Sequence, residues 1–122
     1  MINKQAYNNS INQNIEMVRG DTLAFNFQLQ GLGDTDPDAI IFSCADSYGA
    51  TPIFTADLTD GITRVDYDSN TDTATYSVRI APNKTAGQDI TRYYYDLQAG
   101  IDGDVFTLMR GSLTLLNEVT RG

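Results

Sequence analysis

The side chains that most often do chemistry in proteins are almost absent from this sequence. It contains no histidine, the commonest general base and the commonest transition-metal ligand, so Ser-His-Asp and Cys-His catalysis are excluded. Cys44 is the single cysteine, which excludes an intrachain disulfide and makes a zinc site unexpected. The apolar neighbours of Cys44 predict a buried, unreactive thiol.

Carboxylates are abundant, and one run of them resembles a calcium loop. The run from Asp66 to Asp72 has Asp or Asn at every second position, as calcium loops do. With Asp68 as the first loop position, however, Thr73 stands where the sharp turn needs glycine, and Arg79 stands where a bidentate glutamate is needed. We therefore interpret this run, and likewise Asp34 to Asp38, as a solvated turn.

Three further carboxylates, those of Asp46, Asp57 and Asp96, lie in or beside predicted strands. A pair of such groups can hydrolyse glycosides when the fold sets them about 5–10 Å apart. No tryptophan, the usual sugar-stacking residue, and no cleft-forming insertion accompanies them. We therefore expect a protein that is not an enzyme, with no catalytic residues, no cofactor and no bound metal.

The overall charge argues against nucleic acids and membranes as partners. Among 122 residues, 16 Asp and Glu oppose 8 Lys and Arg, giving a net charge of −8. Phosphate backbones and anionic lipids both require a positive surface. No apolar run approaches the roughly 20 residues of a membrane span, and residues 1–14 are polar and unlike a signal peptide. We expect a soluble protein made in a cytoplasm, without membrane insertion.

Alternating apolar and polar residues predict strands and no long helix. Leu23, Phe25, Phe27 and Leu29 alternate with small or polar residues, the period-2 pattern of a strand with one buried face. Further strands are expected over 16–18, 39–45, 53–58, 61–67, 73–80, 93–97 and 106–115, with a break and a helical turn within 82–89. We predict an all-β antiparallel sandwich of seven or eight strands over residues 15–122, preceded by a flexible arm over residues 1–14.

Four residues are predicted to bend or interrupt the backbone. Gly20 lies in Arg19-Gly20-Asp21, a tripeptide that integrins recognise at hairpin tips, but a simple turn between two strands explains it better. Asp102 and Gly103 suit the positive φ angles of a type I′ hairpin turn. Gly111 interrupts an alternating segment, which indicates a bulge or a close approach of another backbone.

Tyrosines are the best candidates for contact with a partner. Tyr93 and Tyr95 are predicted to face the core, so the intervening Tyr94 points outward. An exposed tyrosine suits a protein interface because it offers a large contact area at low entropic cost. We name Tyr94, Tyr48 and Tyr67 as possible protein-contact residues.

Two groups of motifs together resemble a family of phage proteins. The first is Glu-Met-Val-Arg-Gly-Asp-Thr over residues 16–22, followed by the alternating Phe25 and Phe27. The second is Tyr-Tyr-Asp-Leu-Gln over residues 94–98, followed by Gly103, Thr107-Leu108, Arg110-Gly111, Leu113-Thr114 and Val119-Thr120. In order and spacing the chain resembles the N-terminal domain of phage baseplate upper proteins and related short tail proteins.

The resemblance implies an immunoglobulin-like β-sandwich that serves as an adaptor or connector in a phage tail or baseplate. It further implies a homo-oligomer that contacts other virion structural proteins after synthesis in the cytoplasm of a bacterial host. In the baseplate proteins a long receptor-binding extension follows this module, whereas this sequence stops at Arg121-Gly122, so we expect a stand-alone adaptor or a fragment. The alternative is a carbohydrate- or host-surface-binding module with a concave face lined by Tyr48, Tyr67 or Tyr94.

Overall fold

Nine strands in two sheets make up almost all of the regular structure in the computed structural model, which describes residues 11–118. The prediction of an all-β sandwich is confirmed. Among these residues no helix has the length and apolar character needed to cross a membrane. The strands are β1 (Ile11–Asn12), β2 (Ile15–Val18), β3 (Leu23–Gln30), β4 (Ala39–Ala45), β5 (Phe54–Asp57), β6 (Ile62–Asp68), β7 (Thr73–Ile80), β8 (Arg92–Ile101) and β9 (Asp104–Leu116).

The two sheets differ in size and in strand direction. The smaller sheet is antiparallel, with β7 between β3 and β6. In the larger sheet β5, β4, β8 and β9 are antiparallel neighbours, and both β1 and β2 pair with the free side of β9. These last two pairings are parallel, unlike the wholly antiparallel sandwich expected from the sequence. Since β1 and β2 follow the same edge, they act as one interrupted edge strand.

The core lies between the sheets, where the inward residues of each strand meet. Phe42 of β4 is fully buried and stacks on Tyr95 of β8, with their ring centroids 5.2 Å apart. Phe25 of β3 approaches Phe42 from the opposite sheet at 6.0 Å. Such aromatic pairs contribute about 0.5–1.5 kcal/mol beyond simple burial. Cys44 is buried as predicted, and burial raises its pKa to about 12, so the thiol stays protonated at neutral pH.

The hairpin between β8 and β9 turns at Asp102 and Gly103. Their φ angles are 53° and 84°, the two consecutive positive values that a type I′ turn requires. The bulge in this hairpin lies where the register shifts between Leu97 and Gln98, not at Gly111. Gly111 is inside β9 and forms no turn.

A close backbone approach explains the glycine at position 111. Gln13 lies between β1 and β2, and its carbonyl oxygen occupies the space that a Cβ on Gly111 would enter. Opposite Gly111 in the register is Tyr95, whose hydroxyl donates a hydrogen bond of 2.6 Å to the same Gln13 carbonyl. Next to it, the backbone N–H of Ser112 donates to the side-chain oxygen of Asn14.

The boundary of the predicted arm changes as a result. Residues 11–14, which the sequence places in the arm, form β1 and the interruption between β1 and β2 that packs over Gly111. Residues 1–10 of that arm, together with 119–122, lie outside the described residues. The helical turn predicted within 82–89 is a short 3-10 helix over Pro82–Lys84.

Candidate functional site

The structure brings two of the three predicted contact tyrosines together. Tyr48 belongs to the loop between β4 and β5, and its ring centroid lies 5.2 Å from that of Tyr94 on β8. Tyr94 is half-buried on the outer face of the larger sheet, so its predicted outward direction agrees with the structure. Tyr67 belongs to β6 of the other sheet and is not part of this site.

The loop over residues 46–53 folds back across the larger sheet and carries Tyr48 to β9. Gly49 supplies the positive φ of 87° that the tip of the loop needs. The Tyr48 hydroxyl donates a hydrogen bond of 3.0 Å to the carbonyl of Gly111. The guanidinium of Arg110 lies 4.4 Å from the centroid of the Tyr48 ring, which is a cation–π contact. Tyr48 nevertheless keeps 46% of its surface exposed.

Beneath this loop the sheet presents the side chain of Asp96. Cross-strand pairing places Ser43 on one side of Asp96 and Arg110 on the other. Asp96 is half-buried, and burial raises the pKa of its carboxyl, while the charge of Arg110 acts in the opposite direction. Within residues 11–118 no hydrogen bond or ion pair reaches the Asp96 carboxylate.

A cavity of about 80 Å³ opens between the loop and the sheet. We call it the Tyr48 pocket. Its polar and aromatic wall is formed by Ser43, Tyr48, Tyr94 and Asp96, and Pro52 adds an apolar part. Ligand sites for drug-sized molecules are about 300–1,000 Å³, so this pocket has room for one functional group.

A second group of tyrosine, arginine and aspartate side chains lies beside the smaller sheet, and we call it the Tyr67 cluster. It consists of Asp34, Asp36, Arg64, Tyr67, Asp72 and Tyr76. The Tyr67 hydroxyl donates to Asp72 at 2.8 Å, and the same carboxylate oxygen accepts the backbone N–H of Gly33. Arg64 forms an ion pair of 2.7 Å with Asp34, and the buried Tyr76 donates to Asp36 at 2.8 Å.

The two aspartate-rich runs of the sequence hold loops and turns in place. Asp34 and Asp36 hold the loop between β3 and β4 against the smaller sheet, through Arg64 and Tyr76. In the other run, Asp68 accepts the backbone N–H of Asn70 within its own turn. In residues 11–118 no three acidic or cysteine side chains are placed so that they could hold a metal ion.

Arg19-Gly20-Asp21 connects the two sheets and is not a hairpin tip. It joins β2 of the larger sheet to β3 of the smaller one, and Gly20 has a φ of 83°. The Gly20 N–H donates to the hydroxyl of the fully buried Thr85 at 2.9 Å. Arg19 donates to the carbonyl of Gln88 at 3.1 Å. The tripeptide is therefore engaged in the protein's own structure.

A groove of about 460 Å³ separates the edge strand β2 from the edge strand β3. Its apolar lining comes from Ile15, Leu23, Phe25 and Met109, with Glu16 and Asn26 at the rim. Ile15, Leu23 and Phe25 face the core yet are only half-buried, because the groove leaves one side of them open. In the described part of the chain, neither β2 nor β3 has a strand paired to its groove side.

The sequence offers Asp96 as a candidate for glycoside hydrolysis and as a neighbour of the outward-facing Tyr94, but it does not place the two side chains in one pocket. The period-2 alternation that turns Tyr94 outward also turns Asp96 outward, so the sequence does indicate that both side chains lie on the same face of the strand. The contribution of Arg110 and the fold-back of residues 46–53 depend on strand order, which local patterns do not give. Asp57, a second carboxylate from that set, is engaged with Thr59, whose hydrogen bonds lower its pKa.

No model of a known protein family matches the chain, and a comparison with curated proteins finds no match either.

Proposed function

We propose that this chain is a non-catalytic structural protein of a phage virion, an adaptor or connector of the tail or baseplate that acts through protein–protein contacts. The motifs over residues 16–22 and 94–120 motivate the virion assignment. The groove between β2 and β3 is the structural observation that best supports a docking role.

The groove suits an extended segment of a neighbouring subunit. It combines an apolar floor with two strand edges whose backbone groups have no strand partner among residues 11–118. A bound strand would form main-chain hydrogen bonds along one edge and bury its alternate side chains beside Leu23 and Phe25. Such strand addition also protects an edge that would otherwise promote aggregation.

Particle composition tests the assignment directly. Mass spectrometry and electron microscopy of purified source particles are expected to find the chain as an ordered subunit of the tail or baseplate. Absence of the chain from purified particles would overturn the proposal.

Two groove variants test the mode of docking. Leu23→Asp places a charge on the apolar floor and is expected to abolish incorporation into particles. Val65→Asp, at an exposed position of β6 in the same sheet, should leave incorporation unchanged. Glu16→Arg, at the exposed rim, gives a second variant in case Leu23→Asp fails to fold. Normal incorporation of a folded Leu23→Asp or Glu16→Arg protein would exclude the groove as the docking site.

The carbohydrate-binding alternative stays a prediction. Tyr48 and Tyr94 do lie together, but the Tyr48 pocket is small and the Arg110 guanidinium covers part of the Tyr48 ring. Sugar rings need an open aromatic face, so a protein contact is the better-supported function. A glycan-array signal that is lost in the Tyr94→Ala variant would instead favour carbohydrate binding over a protein contact.

A further inference from the structure

The Asp96 carboxylate is the starting point, because it is half-buried and has no hydrogen-bond or ion-pair partner in the described part of the chain. It lies in the middle of the outer face of the larger sheet, between Ser43 on β4 and Arg110 on β9. A charged group that loses part of its hydration without gaining a partner destabilises the folded protein. A positive group entering the Tyr48 pocket would reverse that cost.

The walls of the pocket favour a cation as well. Tyr48 and Tyr94 approach each other at 45° with their centroids 5.2 Å apart, so both rings border the same small space. The faces and hydroxyl oxygens of tyrosines carry negative partial charge, which attracts a cation within about 6 Å of the ring centroid. The net charge of −8 attracts cations and disfavours anionic ligands.

The size of the pocket selects among cations. About 80 Å³ accommodates a compact ammonium group on an alkyl stem but not a sugar or a nucleotide base. The lysine side chain has this shape, with a point charge on a flexible four-carbon chain. Pro52 and Ala50 provide apolar surface in the wall against which such a stem can pack.

Arg110 is not itself the cation that occupies the Tyr48 pocket. Its guanidinium lies against the Tyr48 ring, it forms no ion pair with Asp96, and it is not among the residues that line the pocket. Its charge nevertheless opposes the rise that burial causes in the pKa of Asp96, and it repels a second cation. Arg110 therefore weakens cation binding from outside the pocket.

We propose that the Tyr48 pocket binds the primary ammonium group of a lysine side chain presented by a partner protein, with Asp96 as its counter-ion and Tyr48 and Tyr94 as its aromatic wall. The inference rests on the proposed function only in assigning that lysine to a partner protein.

A titration with n-butylammonium, followed by NMR of the folded protein, tests the pocket without any partner. Saturable shifts are expected at residues around Tyr48, Tyr94 and Asp96, and n-butanol, which has the same stem without the charge, should produce none. Asp96→Asn is expected to weaken binding about tenfold or more, since a charge-assisted contact is lost. Asp66→Asn, which removes an equal charge from an exposed position of β6, should retain wild-type affinity.

Arg110→Ala gives a change in the opposite direction and is expected to tighten butylammonium binding. Absence of saturable shifts, equal binding of butanol, or unchanged affinity in Asp96→Asn would each overturn the pocket assignment.

In source particles, carbodiimide should cross-link Asp96 to a lysine of another subunit. Failure to cross-link, with the chain present in the particles, would overturn the assignment of the lysine to a partner protein. Absence of the chain from particles would instead overturn the proposed function and leave the butylammonium result intact.

Discussion

The Tyr67 cluster and the Tyr48 pocket both combine tyrosine with aspartate side chains, and they differ in how completely the hydrogen-bonding capacity of those carboxylates is satisfied. In the Tyr67 cluster, Asp36 accepts from Tyr76 and Asp72 accepts from Tyr67 and a backbone N–H. In the Tyr48 pocket, Asp96 accepts nothing from the described residues. A carboxylate whose hydrogen bonds are satisfied, such as that of Asp36 or Asp72, holds a loop in place. A carboxylate without such partners, such as that of Asp96, is available to a ligand.

Gly111→Ala is expected to have the largest effect, because the β9 backbone at this position supports the Tyr48 pocket. A Cβ would overlap the Gln13 carbonyl and displace either the edge strand or β9. We expect the free energy of unfolding to fall by about 2–4 kcal/mol in urea denaturation. Gly87→Ala is the control, since no atom lies near its added Cβ. Equal stability of the two variants would contradict the close approach at Gly111.

Tyr76→Phe tests the satisfied cluster. Loss of the bond to Asp36 from a fully buried side chain should lower the free energy of unfolding by about 1 kcal/mol. Tyr94→Phe should cost much less, because the Tyr94 hydroxyl has no partner among residues 11–118. Similar losses in both variants would remove the distinction between the two regions.

Measuring stability at alkaline pH is a second test of the contribution of Tyr76. Burial, together with the hydrogen bond to Asp36, raises the pKa of Tyr76 above its ordinary value of 10.0. The folded protein therefore keeps a proton that the unfolded chain loses, and stability should fall as pH rises above about 10. Tyr76→Phe should show a shallower fall than the wild type in denaturation series from pH 9 upward. A parallel slope would mean that Tyr76 does not contribute.

Asp96→Asn is expected to have the smallest effect and the opposite sign. Because burial raises the pKa of Asp96, wild-type stability should decrease as pH rises from the ordinary aspartate value of 3.8 through the raised folded value. The variant lacks this decrease and should be more stable at pH 7 by less than about 0.5 kcal/mol, since solvent screens a half-exposed group. Asp66→Asn should leave stability unchanged. A less stable Asp96→Asn protein would show that the carboxylate already has a partner.

Local patterns predicted the strands well because burial on one face imposes a period of two. The alternation in Leu23 to Leu29 gives β3, and Asp102-Gly103 gives the β8–β9 turn with its two positive φ angles. The strand predicted over 53–58 is Phe54–Asp57, a difference confined to its ends. Such features depend on residues that are neighbours in the chain, so they can be predicted from a single sequence.

Long-range pairing is what the sequence left undetermined. Residues 11–14 have no hydrophobic alternation, and they are ordered by β9, which lies about a hundred positions farther along the chain. The Tyr48 pocket needs residues from β4, β8 and the β4–β5 loop, whose proximity depends on strand order. Tyr48 and Tyr94 are predictable from the sequence as candidate contact residues, but their contact with each other is not.

The parallel pairing of β2 with β9 has a mechanical consequence. Because the two strands run in the same direction, tension between the start of β2 and the end of β9 pulls them past each other along their length. The four register pairs from Ile15–Leu113 to Val18–Leu116 then carry the load together instead of opening one at a time. Resistance to stretching would thus come from a short edge strand, and the interruption fitted over Gly111 would help to lock that strand against sliding.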